Sequence, residues 1–447
     1  MKVPARLTAP AFSAGISFLA LLFAAQSVRP VSCFSADDPD VWPGFRGPNG
    51  CAVSEATTVP TRFSEKDFNW KIALPGKGHS SPAIWNGTIF LTASESDQTR
   101  YVLAFSTKDG RELWRWNDGF TAHNKNKLNE FASSSPCADK DRIYVFWTSG
   151  TAAEALALTH SGSVAWRQAL GSFHGDHGSA SSPVLASGVL FVFWDDLDKG
   201  QTEYAGLNPM DGKFLWRKTL PWPIGQKGIS SYSTPAVRTS SKGQAEVIVS
   251  TMPFGVQSFD PRTGSLLWHH DQRSRFRTVG SPVVADRVIF VAWGSGTTGA
   301  QDHVALFPGT ETASGKPEIA WRRTKPSGSP DNKGLPYVPT PLAHQGLLYF
   351  WTEAGLLQVV QARTGKVVYG PENIGGRYLS SPILIGDHVY CANRDQKEIV
   401  VVKAGPKFEM VSRNPIGAGM SATPAVAQGT MFLRTDTDLV SLGGRPK

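Results

Sequence analysis

His174-Gly175-Asp176-His177 places two imidazoles and a carboxylate within four residues, the side-chain types of a transition-metal site or a general base. The spacing stands outside any helical pattern, so a solvated, hydrogen-bonding loop is the plainer reading and no metal is assigned. His79 stands directly before Ser80-Ser81-Pro82. Asp271-Gln272-Arg273-Ser274-Arg275-Phe276-Arg277 carries arginines at alternate positions, which an extended segment turns to one side. With Arg377 and Lys227 these predict a basic patch for carboxylate, phosphate or sulfate groups, against the plainer alternative of a solvated charged loop. No GxSxG, HExxH, GxxxxGK[ST] or kinase catalytic-loop pattern occurs, so no catalytic residue is assigned.

These residues sit between copies of a repeated unit. A Ser/Thr-Pro pair followed by an apolar strand, a Gly or Asp turn and a second apolar strand begins at Ser81, Ser135, Ser182, Thr234, Ser281, Thr340, Ser381 and Thr423, at intervals of 54, 47, 52, 47, 59, 41 and 42 residues. A third strand, a Gly turn and a fourth strand with Trp follow. Gly110 and Trp114 set the pattern, repeated at Gly162 and Trp166, Gly212 and Trp216, Gly264 and Trp268, and Gly315 and Trp321. Tyr369 takes the aromatic place after Gly365, and the seventh unit has lost it. Four strands per unit make a propeller blade, with the Trp rings expected to pack between neighbouring sheets. The eighth unit stops after its third strand near Leu442, while Phe68-Asn69-Trp70-Lys71-Ile72 reads as a lone fourth strand. The fold expected is all-β, an eight-bladed β-propeller whose last blade is closed by an N-terminal strand, leaving no open edge.

In such a ring the fourth-to-first joining segments and the second-to-third loops gather at one face near the axis. The richest joins here are Asn117 to Ser134, Gly171 to Ser181, His269 to Gly280 and Arg322 to Pro339. The axis mouth is therefore expected to present His79, His174, Asp176, His177, Arg273, Arg275, Arg277 and Arg377, for which ordinary polar lining is the competing reading.

Composition agrees with many turns and few helices: 44 Gly and 31 Pro, with 18% charged residues and a mean hydropathy of −0.20. Lys2 and Arg6 precede 22 uncharged residues that end before Arg29, as in a secretory leader cleaved between Ala25 and Ala36. Uncleaved, that stretch is long enough to anchor the chain in a membrane. Residues 37–65 then form an arm and 66–447 the propeller, in a periplasmic or secreted protein. Loss of the first 36 residues leaves 42 basic against 37 acidic side chains, so the charge gives no case for nucleic acid. The cysteines, at 33, 51, 137 and 391, have no zinc spacing; a bridge among Cys51, Cys137 and Cys391 stays open.

The unit at Tyr101-Val102-Leu103-Ala104-Phe105, Asp109-Gly110 and Trp114 resembles the repeat of pyrroloquinoline-quinone (PQQ) enzymes, in register over about residues 66 to 443. Trp42-Pro43-Gly44-Phe45-Arg46-Gly47-Pro48-Asn49-Gly50, with Asn69-Trp70-Lys71 and Gly78-His79-Ser80, is similar to exported propeller proteins of planctomycete type. The resemblance implies either a cofactor-free, protein-binding scaffold, as in the BamB class, or a quinoprotein dehydrogenase holding PQQ with calcium. The chain lacks the adjacent cysteines of those dehydrogenases and shows no matching Glu, Asn and Asp set for calcium. The function expected is a non-catalytic binding or scaffolding module whose partner is an envelope protein or an anionic small molecule or glycan.

Overall fold

The computed structural model describes residues 40–95, 99–223, 230–272, 276–295, 299–329 and 334–444, with Met1. Apart from Met1 these belong to the unit Val31–Lys447. The N-terminal stretch expected to be a secretory leader, Lys227, Arg273 and Arg275 lie outside the described residues.

Eight antiparallel sheets form the blades of a β-propeller. Blade 1 is Ala83–Trp85, Thr88–Glu95, Thr99–Ser106 and Glu112–Gly119, and the same order repeats through blade 7. Blade 8 takes Ala425–Ala427, Thr430–Arg434 and Asp438–Gly443 from the end of the chain and Phe68–Ala73 from its beginning. The pairing Trp70↔Ser441 through Ala73↔Asp438 is antiparallel, so the expected closure is present.

The Ser/Thr-Pro residues explain why the ring closes without a gap. Each donates its backbone N–H to the hydroxyl of its counterpart one blade on. Ser81 donates to Ser135 (2.8 Å), Ser135 to Ser182 (3.0 Å), Ser182 to Thr234 (3.1 Å) and Thr234 to Ser281 (3.0 Å). Ser281 donates to Thr340 (3.0 Å), Thr340 to Ser381 (3.0 Å), Ser381 to Thr423 (3.1 Å), and Thr423 back to Ser81 (2.9 Å). The following proline biases each belt residue to an extended backbone, which holds the donor and the hydroxyl in place for the two neighbours. In blades 1, 4 and 7 the preceding serine, Ser80, Ser233 or Ser380, staples the join to its own blade by donating to Thr92, Ser250 or Ala392 carbonyl. Where the chain ends meet, the buried Arg434 guanidinium of blade 8 donates to the carbonyls of Ser80 (3.1 Å) and Thr92 (2.7 Å) in blade 1.

Between blades, five fourth-strand Trp residues dock on the next blade's turn. Trp166 Nε1 donates to Pro209 carbonyl at 2.8 Å, and its ring lies where a Cβ on Gly212 would sit 2.5 Å away. Gly212 is also at φ 72°, so the turn needs glycine for conformation and for closeness. Trp70, Trp114, Trp216 and Trp321 repeat the contact at Gly110, Gly162, Gly264 and Gly365. Trp268 instead donates to the buried Glu246 at 3.0 Å. The N-terminal arm bonds both blade 7, which lacks the aromatic, and its neighbour blade 8: Phe63 N–H donates to Asn414 in blade 7 (2.9 Å) and Thr58 to Gly429 carbonyl in blade 8 (2.7 Å).

The arm reaches that flank by crossing the turn-bearing face. Trp42 bridges Ile84 in blade 1, Pro43 carbonyl accepts from Ala138 in blade 2, and the turn Pro48–Gly50 lies against the first strand of blade 4. Arg46, 2% exposed, donates to Thr340 and Pro341 carbonyls in blade 6 at 2.9 Å each. Val53–Ser54 then adds a parallel strand to Leu384–Ile385 in blade 7. Cys51 is disulfide-bonded while Cys137 and Cys391 are free and buried, so these three do not bridge one another.

Truncating a docked ring removes a large buried contact and leaves a cavity beside the exposed turn. Trp166→Ala should cost about 3–5 kcal/mol in urea unfolding. A loss under about 1 kcal/mol would mean the rings do not join the blades.

Candidate functional site: a one-ended axial pocket

A cavity of about 730 Å³ lies on the axis, lined by all eight belt residues. Above the belt its wall comes from the joining segments and from Glu353 in the second-to-third loop of blade 6; below, Phe45 of the arm is, among the described residues, the one lining residue from the opposite face. The arm thus makes an open channel into a pocket with one mouth.

Each belt oxygen already accepts a backbone N–H, and among the described residues none of the eight hydroxyls donates to protein. Every hydroxyl therefore keeps its proton and one lone pair for the cavity. Accepting from the N–H also polarises the O–H, making it a better donor.

The rim alternates in character. His79, His177, Arg277 and Arg377 line the pocket from the joins before blades 1, 3, 5 and 7, a quarter turn apart. Between them stand Asn126 and Asn129, Tyr232, Tyr337 and Ser421, from the joins before blades 2, 4, 6 and 8. His177 stacks on Tyr232 with ring centroids 6.4 Å apart, and its carbonyl accepts from Asn129 (2.9 Å). Arg277 meets Asp176 at 3.5 Å and Arg377 meets Asp395 at 3.0 Å. Neither pair is fully buried, and both Nε atoms, like Tyr232 Oη, are buried with no hydrogen-bond partner among the described residues.

Of the side chains proposed from sequence, His79, His177, Arg277 and Arg377 meet at the pocket, and Asp176 stands behind Arg277 as its ion-pair partner. His174 does not line the pocket. It turns outward, half exposed, with Nδ1 2.7 Å from Asp198. Arg273 and Arg275 are outside the described residues. Sequence reasoning passed over Glu353, the only carboxylate of the lining among the described residues, because one acid in a short loop has no pattern. It also took the Ser/Thr of the repeat for strand markers, although a hydroxyl at eight positions out of eight is more than a following proline requires. Tyr232 and Tyr337, two and three residues before a belt position, were legible by that placement.

Burial dominates the electrostatics. It lowers the His79 pKa to about 3, helped by the nearby Arg434, Arg394 and Lys125, so this imidazole is neutral at physiological pH. Burial also raises the Glu353 pKa to about 7, opposed by backbone N–H groups, that of Val338 among them, which donate to the carboxylate. At neutral pH the described residues of the lining thus set two arginines and Lys127 against one half-protonated acid, with hydroxyl and amide donors around them. That arrangement suits an anionic, oxygen-rich molecule.

Fold and pocket together define an eight-bladed propeller of the PQQ-repeat type with a closed-bottomed axial site. The family model described as outer membrane protein assembly factor BamB matches residues 63–154 and 121–369, and the chain belongs to that family. Among solved structures it is similar to BamB from Moraxella catarrhalis, with a TM-score of 0.56 and 14% identity over 85% of this chain and 98% of that one. It is also similar to the quinohemoprotein alcohol dehydrogenase from Comamonas testosteroni, with a TM-score of 0.63 and 12% identity over 91% of this chain and 81% of that one. At such identities the likeness is one of fold. A tetrathionate hydrolase from Acidithiobacillus ferrooxidans is 24% identical over 200 residues, 42% of this chain; the match spans 36% of that protein's length.

Glu353 yields a pH test. Its pKa is about 7 in the fold and near the ordinary 4.5 when unfolded, so the folded state holds the proton more tightly. That stabilisation is full below pH 4.5 and is lost as pH rises through 7. Glu353→Gln should therefore be more stable than the wild type at pH 8, by about 3 kcal/mol, with the difference vanishing below pH 4.5 in urea unfolding. A difference that does not vary with pH would show that the carboxyl is not held neutral by burial.

Proposed function

We propose that this protein is a non-catalytic binding module whose axial pocket holds an anionic small molecule or glycan. The observation that carries the reading is the lining itself: Arg277, Arg377 and two histidines at alternate blades above eight hydroxyls that donate to no protein group among the described residues. The tetrathionate hydrolase to which the chain is similar is named for a sulfur oxyanion, which agrees in ligand charge. A calcium-held quinone fits less well. Calcium takes six to eight oxygen ligands, several of them carboxylates. Among the described residues the lining offers it one carboxyl, Glu353, and no group of three or more His, Cys, Asp or Glu is placed to hold a metal. The leader-like N-terminus supports export to the periplasm or beyond, where such ligands and envelope partners occur.

A protein-binding role is the second reading, favoured by membership of the BamB family and by exposed aliphatic side chains on successive fourth strands. Leu113, Val164, Leu215, Leu266, Ile319 and Val367 are each 40–52% exposed along the outer edges of blades 1 to 6. On that reading, crosslinking in envelope extracts captures one defined protein, and lysine at Leu215 and Leu266 abolishes the capture.

The anion reading is tested by melting the protein in millimolar sulfate at ionic strength held constant with chloride. The melting temperature should rise and saturate, because a ligand of the folded state must stabilise it. In Arg277→Gln/Arg377→Gln the rise should disappear. An unchanged response in that variant, or stabilisation by PQQ with calcium but not by sulfate, would overturn the reading.

A further inference from the structure

We infer that the pocket receives the end of a chain of sugar acids, a uronate oligosaccharide, with Phe45 as the side chain that the terminal sugar meets. The inference rests on the anion-binding reading above and adds the ligand's class and its polarity of entry.

Three layers of the pocket carry it. The rim supplies Arg277 and Arg377, whose forked guanidinium groups suit carboxylates. The belt supplies hydroxyls, each with a proton to give and a lone pair to accept, the two-way partner that a sugar hydroxyl needs. A bare inorganic anion would use only the protons. The floor supplies an aromatic ring, half-buried and facing the cavity, against which the carbon face of a pyranose can pack. A volume of about 730 Å³ falls within the range of pockets that enclose most of a small ligand.

The arm decides between a chain end and a chain middle. It crosses beneath the belt and is fixed in blades 1, 2, 6 and 7 by backbone pairing and by the buried Arg46 guanidinium. A chain entering the mouth cannot thread through; it must stop at Phe45. Only its terminal units reach the belt, and the rest extends from the mouth into solvent.

The experiment is titration calorimetry of the full chain with galacturonate oligomers of increasing length, for the wild type, Phe45→Ala and Phe45→Tyr, beside the sulfate melting series. Affinity per chain should rise over the first few units and then level off. Phe45→Ala should weaken every oligomer by roughly 3- to 10-fold, the worth of one aromatic contact. It should leave the sulfate response unchanged, and Phe45→Tyr should bind as the wild type does. Affinity that keeps growing with the number of units, or Phe45→Ala binding like the wild type, overturns the inference. If no oligomer binds while sulfate still stabilises, the uronate assignment falls and the anion reading stands. If neither acts, both fall.

Discussion

A closed circle of eight hydrogen bonds, backbone N–H to hydroxyl from one blade to the next, is the interaction on which the rest of this structure depends. Blades touch chiefly through apolar side chains, which attract without fixing position. Directional bonds at the innermost strands set where each sheet stands relative to the next. Because the circle returns from Thr423 to Ser81, the blades at the chain ends are held in the same way as the others, and Arg434 reinforces that junction from within. Trp70, Trp114, Trp166, Trp216 and Trp321 repeat the linkage at the outer edges, so five of the eight junctions are tied at two radii.

The same bonds create the candidate site. A hydroxyl that accepts an N–H retains its proton, and eight such groups around one axis form a ring of donors without any charged residue. The rim adds charge in moderation: Arg277 and Arg377 are each opposed by an aspartate, and His79 is held neutral by burial. On the proposed reading, such a surface would hold an anion without the repulsion that four unopposed cations would create. Glu353 sets the alkaline limit of this balance, since its ionisation as pH rises through 7 adds a negative charge to the pocket wall.

Much of the ring was legible in the sequence because its constraints recur. The Ser/Thr-Pro pairs, the turn glycines and the tryptophans each mark one structural position several times over. The lone strand at Phe68–Ala73 could be assigned by what blade 8 lacked. The site was legible only in part, because its residues occur once each. His177, Arg277 and Arg377 stood out by type within the joins, but nothing in the spacing of His174 and His177 tells that one faces Asp198 and the other the axis. The arm was the least legible element. Its path over blades 1, 2, 4, 6 and 7 has no periodicity, and the role of Phe45 follows from where Trp42 and Arg46 are anchored rather than from its neighbours in sequence.

The central claim, that one closed belt makes the blades a single cooperative ring, is tested most directly by native-state hydrogen exchange at the eight belt amides: 81, 135, 182, 234, 281, 340, 381 and 423. If the belt opens only with the whole ring, all eight should exchange at one slow rate set by global unfolding, including Thr423 at the junction of the chain ends. A spread of rates, with the amide of Thr423 exchanging well ahead of the others, would mean that the ring opens at its seam and that the belt is not the constraint described.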